Sequence, residues 1–508
     1  METRRHIFLT GSTGLIGRYL LRDFLIQGHR VTTLVRTHEQ ESSKERVEKA
    51  LSFARLPREI TENVRVLQGQ LPDFQPDAID RRLIKECDLV VHSAASLRFD
   101  KDSNGEPFRT NVEGTRNLVE LVQRLGIRRW IQVSTAYVCG DTQKTVSEDH
   151  ASLSNPRNSY EKSKRIAEEL VRKQPRLDWT IVRPGIVVGD SRTGYTSTYQ
   201  GMYRCLKSVA LLVKRLKKNL AGTRQLPLRF HLSGNELTNL VPVDWVAEAI
   251  SRIALLASSQ GKHFHLTPRN PISAKALVAA VQEFFAISGI EFVGSEKTEL
   301  ENRNAFERIF DRETSLLGPY FNDDPQFDRI HLDEFLPKLR EADVNSALIQ
   351  RLMKFGESDG WGIRRGHRHI QPNGFDCAGF FESYFPEAAR RSELVRMRDL
   401  NARIGFEIRG QRGGFWLCQL VAGDVVSVEP TSCIPNSVDF HYRTNCATLE
   451  EITSGRMTTR EAFFEKRIEI VGNIERALLL ALLFEDLLRE YPYRPGVKKV
   501  ASTEKACA

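Results

Sequence analysis

The residue types best able to do chemistry here are Tyr160 and Lys164, four apart in Asn158-Ser159-Tyr160-Glu161-Lys162-Ser163-Lys164. The string continues as Arg165-Ile166-Ala167-Glu168-Glu169-Leu170, which reads as helix, so the two side chains share one helix face. A phenol titrates at about 10 and is a sluggish proton donor or acceptor near neutrality, and a nearby ammonium favours its phenolate. Lys164 is therefore placed to tune Tyr160. Such a pair is common by chance and gains weight only from its neighbours.

Upstream, Trp130-Ile131-Gln132-Val133-Ser134-Thr135-Ala136-Tyr137-Val138-Cys139-Gly140 runs from a strand into a loop. In an open parallel sheet that is the carboxyl edge, where ligands bind. Thr135 can hydrogen-bond a carbonyl there. Ser134 is the competing hydroxyl, and either can also serve simply to cap the strand end.

Near the N-terminus, Thr10-Gly11-Ser12-Thr13-Gly14-Leu15-Ile16-Gly17 lies between an apolar strand, His6 to Thr10, and the helical Arg18-Tyr19-Leu20-Leu21-Arg22. Glycines 11, 14 and 17 let the backbone turn tightly, approach a pyrophosphate and pack helix on strand, with the helix N-terminus facing the anion. The second strand, Arg30 to Val35, ends at Arg36, where sites that prefer NAD place a carboxylate for the ribose hydroxyls. A guanidinium suits a 2′-phosphate instead, which points to NADPH; the competing reading is a solvated charge at a strand end.

The elements that must position these residues alternate from residue 6 to about 190: HIFLT, then Leu15 to Gln27; RVTTLV, then Ser43 to Phe53; VRVLQ; DLVVHSA, then Val112 to Leu125; RWIQVS; and WTIVRP. This alternation predicts an α/β fold with a doubly wound, Rossmann-type parallel sheet. Residues 191–300 read as substrate-side structure, with a basic segment in which Arg204, Lys207, Lys214, Arg215, Lys217 and Lys218 interleave with Leu206, Val209, Leu211, Leu212, Val213 and Leu216. That segment could dock phosphates, an acidic carrier or anionic lipid, or be a solvated helix face. Residues 300–390 carry no chemical motif, and a modest helix is predicted over Val344 to Phe355. After 393 the pattern changes to a compact α+β module: strands over Ile404–Ile408, Phe415–Val428 and Val438–Arg443, then helices over Leu449–Ser454 and Ile474–Leu488. The resulting division is 1–270, a nucleotide-binding domain with its substrate subdomain; 271–392, a connecting region; 393–495, the α+β module; and 496–508, a tail.

The 508 residues suffice for roughly three domains, and a hydrophobic fraction of 41% is ordinary for a globular chain. The longest apolar run, Ala477 to Phe484, is far short of the roughly 20 residues needed to cross a bilayer. The N-terminus shows no signal-peptide pattern, and the eight cysteines lack C-x-x-C spacing, so a reducing, cytoplasmic setting without a metal site is expected. A formal charge of +9 suits acidic partners such as phosphorylated cofactors but decides little by itself.

Taken together, the glycine turn, Arg36, Asn111-Val112-Glu113-Gly114-Thr115, Ser134-Thr135-Ala136, Tyr160 with Lys164, and Arg183-Pro184-Gly185 resemble the extended short-chain dehydrogenases over the first ~270 residues. His92-Ser93-Ala94-Ala95-Ser96-Leu97-Arg98-Phe99-Asp100 and Thr33-Leu34-Val35-Arg36 look most like fatty acyl reductases and thioester-reductase domains. The resemblance implies Tyr160 as acid, Thr135 on the carbonyl oxygen, Lys164 on the nicotinamide ribose, and cofactor contacts from Gly11, Thr13, Gly14, Leu15, Ile16, Gly17, Arg36, Ala94 and Asn111. One departure is Gln70, where such proteins commonly carry an aspartate near the adenine.

The module from 393 resembles sterol-carrier-protein lipid-binding domains in Leu449-Glu450-Glu451-Ile452-Thr453-Ser454-Gly455-Arg456-Met457, Ala462-Phe463-Phe464 and Ile468-Glu469-Ile470-Val471-Gly472-Asn473. Phe463, Phe464, Leu478, Leu482 and Leu483 could line an apolar tunnel or fill a core. The function these resemblances imply is NADPH-dependent reduction of an acyl thioester, on coenzyme A or an acyl-carrier protein, to aldehyde or alcohol, with an apolar lipid in the C-terminal domain and peripheral contact with a membrane as a further option. A sterol or other lipid carbonyl reductase uses the same triad without a leaving thiol. A non-catalytic, nucleotide-sensing lipid carrier has no need of it.

Overall fold

The computed structural model describes residues 4–37, 41–142, 145–148, 154–214, 216, 224–294, 303–321, 324–365, 375–392, 401–410, 412–465 and 467–493. The chain divides into two compact units: Met1–Ser208, Arg229–Thr298 and Glu313–Gly362 make the first, and Val209–Leu228, Glu299–Arg312 and Ile363–Ala508 the second.

In the first unit, strands β1 (His6–Thr10), β2 (Arg30–Val35), β3 (Val64–Gln68), β4 (Leu89–His92), β5 (Arg129–Val133), β6 (Asp178–Pro184) and β7 (His263–Leu266) form one sheet in the order β7-β6-β5-β4-β1-β2-β3. All its pairings are parallel. β1 and β4 are buried along their whole length, as a sheet covered on both faces requires, which is why they read as unbroken apolar runs. On one face Leu20, Leu21 and Phe24 of α1 (Leu15–Ile26) share a core with Trp245 and Ile250 of α6 (Val243–Leu255). On the other, Leu118, Val119 and Val122 of α3 (Gly114–Arg124) pack with Phe8, Val90 and Trp130. The sheet order reverses between β1 and β4, which opens a crevice at their carboxyl ends. The seventh strand, β7, comes from the stretch that the sequence pattern assigns to the substrate side.

Two more helices matter to the site: α2 (Ser43–Leu51), started by a Ser42/Glu45 capping box, and α4 (Ser159–Arg172), whose cap is Asn158 accepting from the Glu161 N–H. The predicted helix near 344–355 runs Ser346–Ser358 (α7), capped by Asn345. In the basic segment the described charged residues reach solvent, Lys214 exposed and Arg204 and Lys207 partly so, while the apolar side is covered. In α5 (Met202–Val213), Leu206, Val209, Ala210, Leu211, Leu212 and Val213 are all buried, so its apolar residues are already spent in a core. Arg215, Lys217 and Lys218 lie outside the described residues.

The second unit holds a five-stranded sheet of β8 (Ala402–Arg409), β9 (Gly414–Val421), β10 (Asp424–Thr431), β11 (Phe440–Asn445) and β12 (Glu469–Gly472), ordered β10-β9-β8-β11-β12. Alternation sends Ile404, Phe406 and Ile408 to the inner face and Arg403 and Arg409 outward. β8 and β11 pair in parallel while the other neighbours are antiparallel. Strand alternation alone does not encode that difference. The inner face is covered by α8 (Phe385–Arg391), α9 (Cys446–Thr453), α10 (Thr459–Phe464) and α11 (Ile474–Glu490). A π-turn, Phe380–Tyr384, leads into α8, and its Phe381 stacks on Trp416 with ring centroids 4.8 Å apart.

Candidate functional site

The glycine turn has the conformation its composition calls for. Gly11 takes φ +75°, and a Cβ there would stand 2.6 Å from the Ala94 amide nitrogen; a Cβ on Gly17 would overlap the Gly11 carbonyl. The Gly14 N–H closes the turn on the Gly11 carbonyl at 2.9 Å. No side chain caps the start of α1, so the N–H groups of Leu15, Ile16 and Gly17 are left for an anion. The Thr13 carbonyl is held by Arg18 Nη2 at 2.7 Å. These residues fit a dinucleotide: the cradle admits only glycine at 11 and 17, and its helix end carries no side-chain cap.

At the end of β2, Arg36 is exposed, and its carbonyl accepts from Arg46 Nη1 of α2 at 2.6 Å. Burial and then the Arg36 charge lower the Arg46 guanidinium from its ordinary value. Arg46 is thus tied to the end of β2 close enough to feel the Arg36 charge, and it carried no motif to announce it. Gln70 is exposed just beyond β3.

A buried polar chain ties the turn to the helix of Tyr160. The Ala94 N–H donates to Thr10 Oγ1 at 3.2 Å, and Thr10 Oγ1 lies 2.7 Å from His92 Nδ1. His92 Nε2 is 3.1 Å from Thr115 Oγ1, whose own hydrogen goes to the Asn111 carbonyl at 2.6 Å. Because Thr115 has one hydrogen, His92 must donate from Nε2 and accept at Nδ1. Burial, and then Lys164, push His92 down to about 3, so the ring is neutral. Asn111 sits in a π-turn, Arg109–Glu113; its amide bridges the Ser96 backbone at 2.8 and 3.0 Å and donates to Ser163 Oγ at 2.8 Å. Ser163 in turn donates to the Tyr160 carbonyl at 2.7 Å. His92, Ser163 and Thr115 are read from the sequence only as members of longer strings.

Lys164, buried on α4, points its Nζ at the Val133 carbonyl, 2.6 Å away and two residues before Thr135. Burial lowers it to about 8, against the pull of Glu168. The Tyr160 hydroxyl makes no hydrogen bond among the described residues. Its phenol is pushed well above its ordinary value, first by burial and then by the Glu161 carboxylate. The expected tuning toward phenolate is therefore not what this arrangement produces: the phenol is held protonated. Thr135 Oγ1 accepts from the Tyr137 N–H at 3.4 Å, which leaves its hydrogen free to donate. Ser134 is buried with its hydroxyl toward the Glu168 carboxylate, which it helps to lower and which Arg183 clamps at 2.7 and 3.0 Å.

Around Tyr160, residues from the motif-free stretch complete the wall. Glu161 is fully buried and accepts from the Arg157 N–H at 2.8 Å, Arg157 Nε at 2.9 Å and the Tyr320 hydroxyl at 2.7 Å. Phe99 stacks on Tyr320 at 5.5 Å and lies 6.3 Å from the Tyr160 ring. The Tyr137 hydroxyl donates to Asp324 at 2.7 Å. No local sequence signal links 320 or 324 to 160.

The second unit contains a cavity with about 800 Å³ of unfilled space, its open mouth included. Phe381, Phe385, Phe406, Leu420, Ile452 and Leu483 are among its walls. Of the residues named from sequence, Leu483 lines it; Phe463, Leu478 and Leu482 are buried in the surrounding core, and the side chain of Phe464 lies outside the described residues. Of the polar side chains in the wall, Tyr442 turns its hydroxyl to the Ala477 carbonyl and Thr444 donates to the Arg467 carbonyl at 2.8 Å.

Residues 9–250 match the family model described as male sterility protein. The peramine synthetase of Metarhizium majus is 32% identical over 216 residues, 39% of this chain and 8% of that protein. The L-2-aminoadipate reductase of Saccharomyces cerevisiae is 26% identical over 284 residues, 50% of this chain and 19% of that protein. The chain thus spans well under two thirds of either relative. Among solved structures, the terminal R domain from the myxalamid PKS-NRPS biosynthetic pathway superposes with a TM-score of 0.59 at 25% identity, covering 71% of this chain and 92% of that one. No described helix is long and apolar enough to cross a membrane. Over residues 9–250, just under half of its length, the chain is accordingly similar to the male sterility protein family, and its fold is that of the terminal R domain.

Proposed function

We propose that the first unit reduces an acyl thioester, carried on coenzyme A or an acyl-carrier protein, with NADPH as reductant. The observation that carries this reading is a protonated, unpaired Tyr160 hydroxyl on the same helix as Lys164 and beside the carboxyl edge that presents Thr135. Likeness to a protein named aminoadipate reductase and to a terminal R domain supports it. The closeness of the Arg36 and Arg46 charges supports NADPH over NADH, because a 2′-phosphate relieves the repulsion between them.

Bound over the glycine turn, NADPH would supply a hydride to the carbonyl carbon. Thr135 Oγ1 donates to the carbonyl oxygen as charge develops there, and Tyr160 Oη places its proton on the same atom. When the carbon–sulfur bond breaks, Tyr160 recovers that proton, the thiolate leaves to be protonated by solvent, and an aldehyde remains. A second reduction to the alcohol uses the same groups. On this reading Lys164, held by the Val133 carbonyl, binds the nicotinamide ribose.

The second unit, on this reading, holds an apolar lipid or acyl chain in its cavity, supported by the size of that space and its hydrocarbon walls. The test is NADPH oxidation by purified protein with a panel of long-chain acyl-CoA thioesters and acyl-carrier proteins, with free thiol followed in parallel. Thiol release matching NADPH consumption is expected. Reduction of sterol or lipid ketones without thiol release would replace this reading by that of a lipid carbonyl reductase.

A further inference from the structure

In the second unit Cys377 and Cys446, 69 residues apart, bring their sulfurs to 3.4 Å. Among the described residues this is the one pair of cysteines in contact, and all seven described cysteines are free thiols. Cys377 is fully buried, whereas Cys446 is partly reached by solvent. A bond needs the sulfurs to close to about 2.05 Å. Gly410 lies beside Cys446 and presents no side chain; a Cβ there would stand 3.1 Å from Cys446 Sγ.

The two cysteines begin two elements that both line the cavity. Cys377 begins the short helical turn that leads through Phe380–Tyr384 into α8, and this segment contributes Phe381, Phe385 and Ala389 to the lining. Cys446 is the first residue of α9, which contributes Leu449 and Ile452. A covalent link between them joins two elements that otherwise meet through side-chain packing.

We propose that Cys377 and Cys446 form a reversible disulfide by exchange with a small disulfide of the glutathione type, and that the bond fixes the cavity walls and slows ligand passage. The Cys446 thiolate attacks one sulfur of the small disulfide and releases one thiolate, leaving a mixed disulfide on Cys446. Cys377 then loses its proton and attacks Cys446 Sγ, expelling the second thiolate. Two protein thiols and one small disulfide become one protein disulfide and two small thiols. The order follows from access: Cys446 meets solvent and takes the first, bimolecular step, while buried Cys377, whose thiol is raised by that burial, is reached only in the second, internal step. The gating half of the proposal rests on reading the cavity as a ligand site; the disulfide itself does not.

The experiment treats the full reduced chain with oxidised glutathione, maps tryptic peptides without reductant, and measures the release rate of cis-parinaric acid before and after. The expected result is a linked peptide pair containing Cys377 and Cys446, and release slowed about tenfold and restored by reductant. In Cys377→Ser and Cys446→Ser no such link forms, and release is indifferent to the oxidant. Glutathione adducts on exposed Cys433 without the linked pair overturn the disulfide. A linked pair with unchanged release, or no binding of the probe to reduced protein, overturns the gating while leaving the disulfide established.

Discussion

Tyr160 combines a hydroxyl without a hydrogen-bond partner among the described residues and a phenol held protonated by burial and by Glu161. Removing the oxygen costs the fold little, since no hydrogen bond is lost, but takes away the only proton the proposed mechanism places on the substrate. Tyr160→Phe should lower kcat/KM by about 10²–10⁴-fold with NADPH binding and thermal stability retained, as measured by steady-state kinetics, cofactor titration and calorimetry. Lys164 sets a pH limit. Burial brings it to about 8 from an ordinary value of about 10.5, so across that window the unfolded chain holds a proton that the folded chain has released. Stability therefore rises with pH through the window, and the rise should vanish in Lys164→Met when urea midpoints are compared across it. The same loss of charge should give wild-type kcat/KM an alkaline fall centred near 8.

At the scale of elements, the β1–α1 turn and the α4–β6 clamp make separate demands. A methyl group on Gly17 overlaps the Gly11 carbonyl, whereas one on Gly14 would stand 3.2 Å from it. Gly17→Ala should abolish NADPH binding, measured by fluorescence titration, while Gly14→Ala weakens it only in part. Glu168 and Arg183 form a buried, two-bonded pair joining α4 to β6. Glu168→Gln leaves a buried guanidinium without its counter-charge and should cost about 3–5 kcal/mol in denaturant unfolding.

These elements also show how far the sequence could be read. The parallel sheet and glycine turn were legible because buried parallel strands are continuous apolar runs and only glycine admits the turn at Gly11 and Gly17. That Tyr160 and Lys164 share one helix and that Thr135 follows a strand end was legible from spacing and pattern. Tyr320, Asp324 and Arg46 were not, because what brings them to their places is tertiary packing rather than a local pattern. The helical reading of 202–213 was right in type, but charge interleaved with leucine looks the same whether the apolar side meets a core or a membrane. In the second unit the strands were legible and the parallel β8–β11 pairing was not. The contribution of Phe381 and Phe385 to the cavity was hidden in a segment whose glycines and prolines obscure any period.

Considered as a whole molecule, the chain joins a dinucleotide-binding unit to an α+β unit built around an apolar space. If that space takes a hydrocarbon chain, filling it should affect lipid binding alone. Ala481→Phe, in the cavity wall, should weaken binding of a fluorescent fatty acid by about tenfold, or about 1.4 kcal/mol, with NADPH affinity unchanged. The central claim is that hydride delivered in the first unit expels a thiol. Its most direct test is a single turnover with NADPH deuterated at the transferring position and a long-chain acyl thioester. One deuterium on the aldehyde carbon and one free thiol for each NADPH consumed is the predicted result; deuterium found only in an alcohol made from a lipid ketone, with the thioester untouched, would contradict the account.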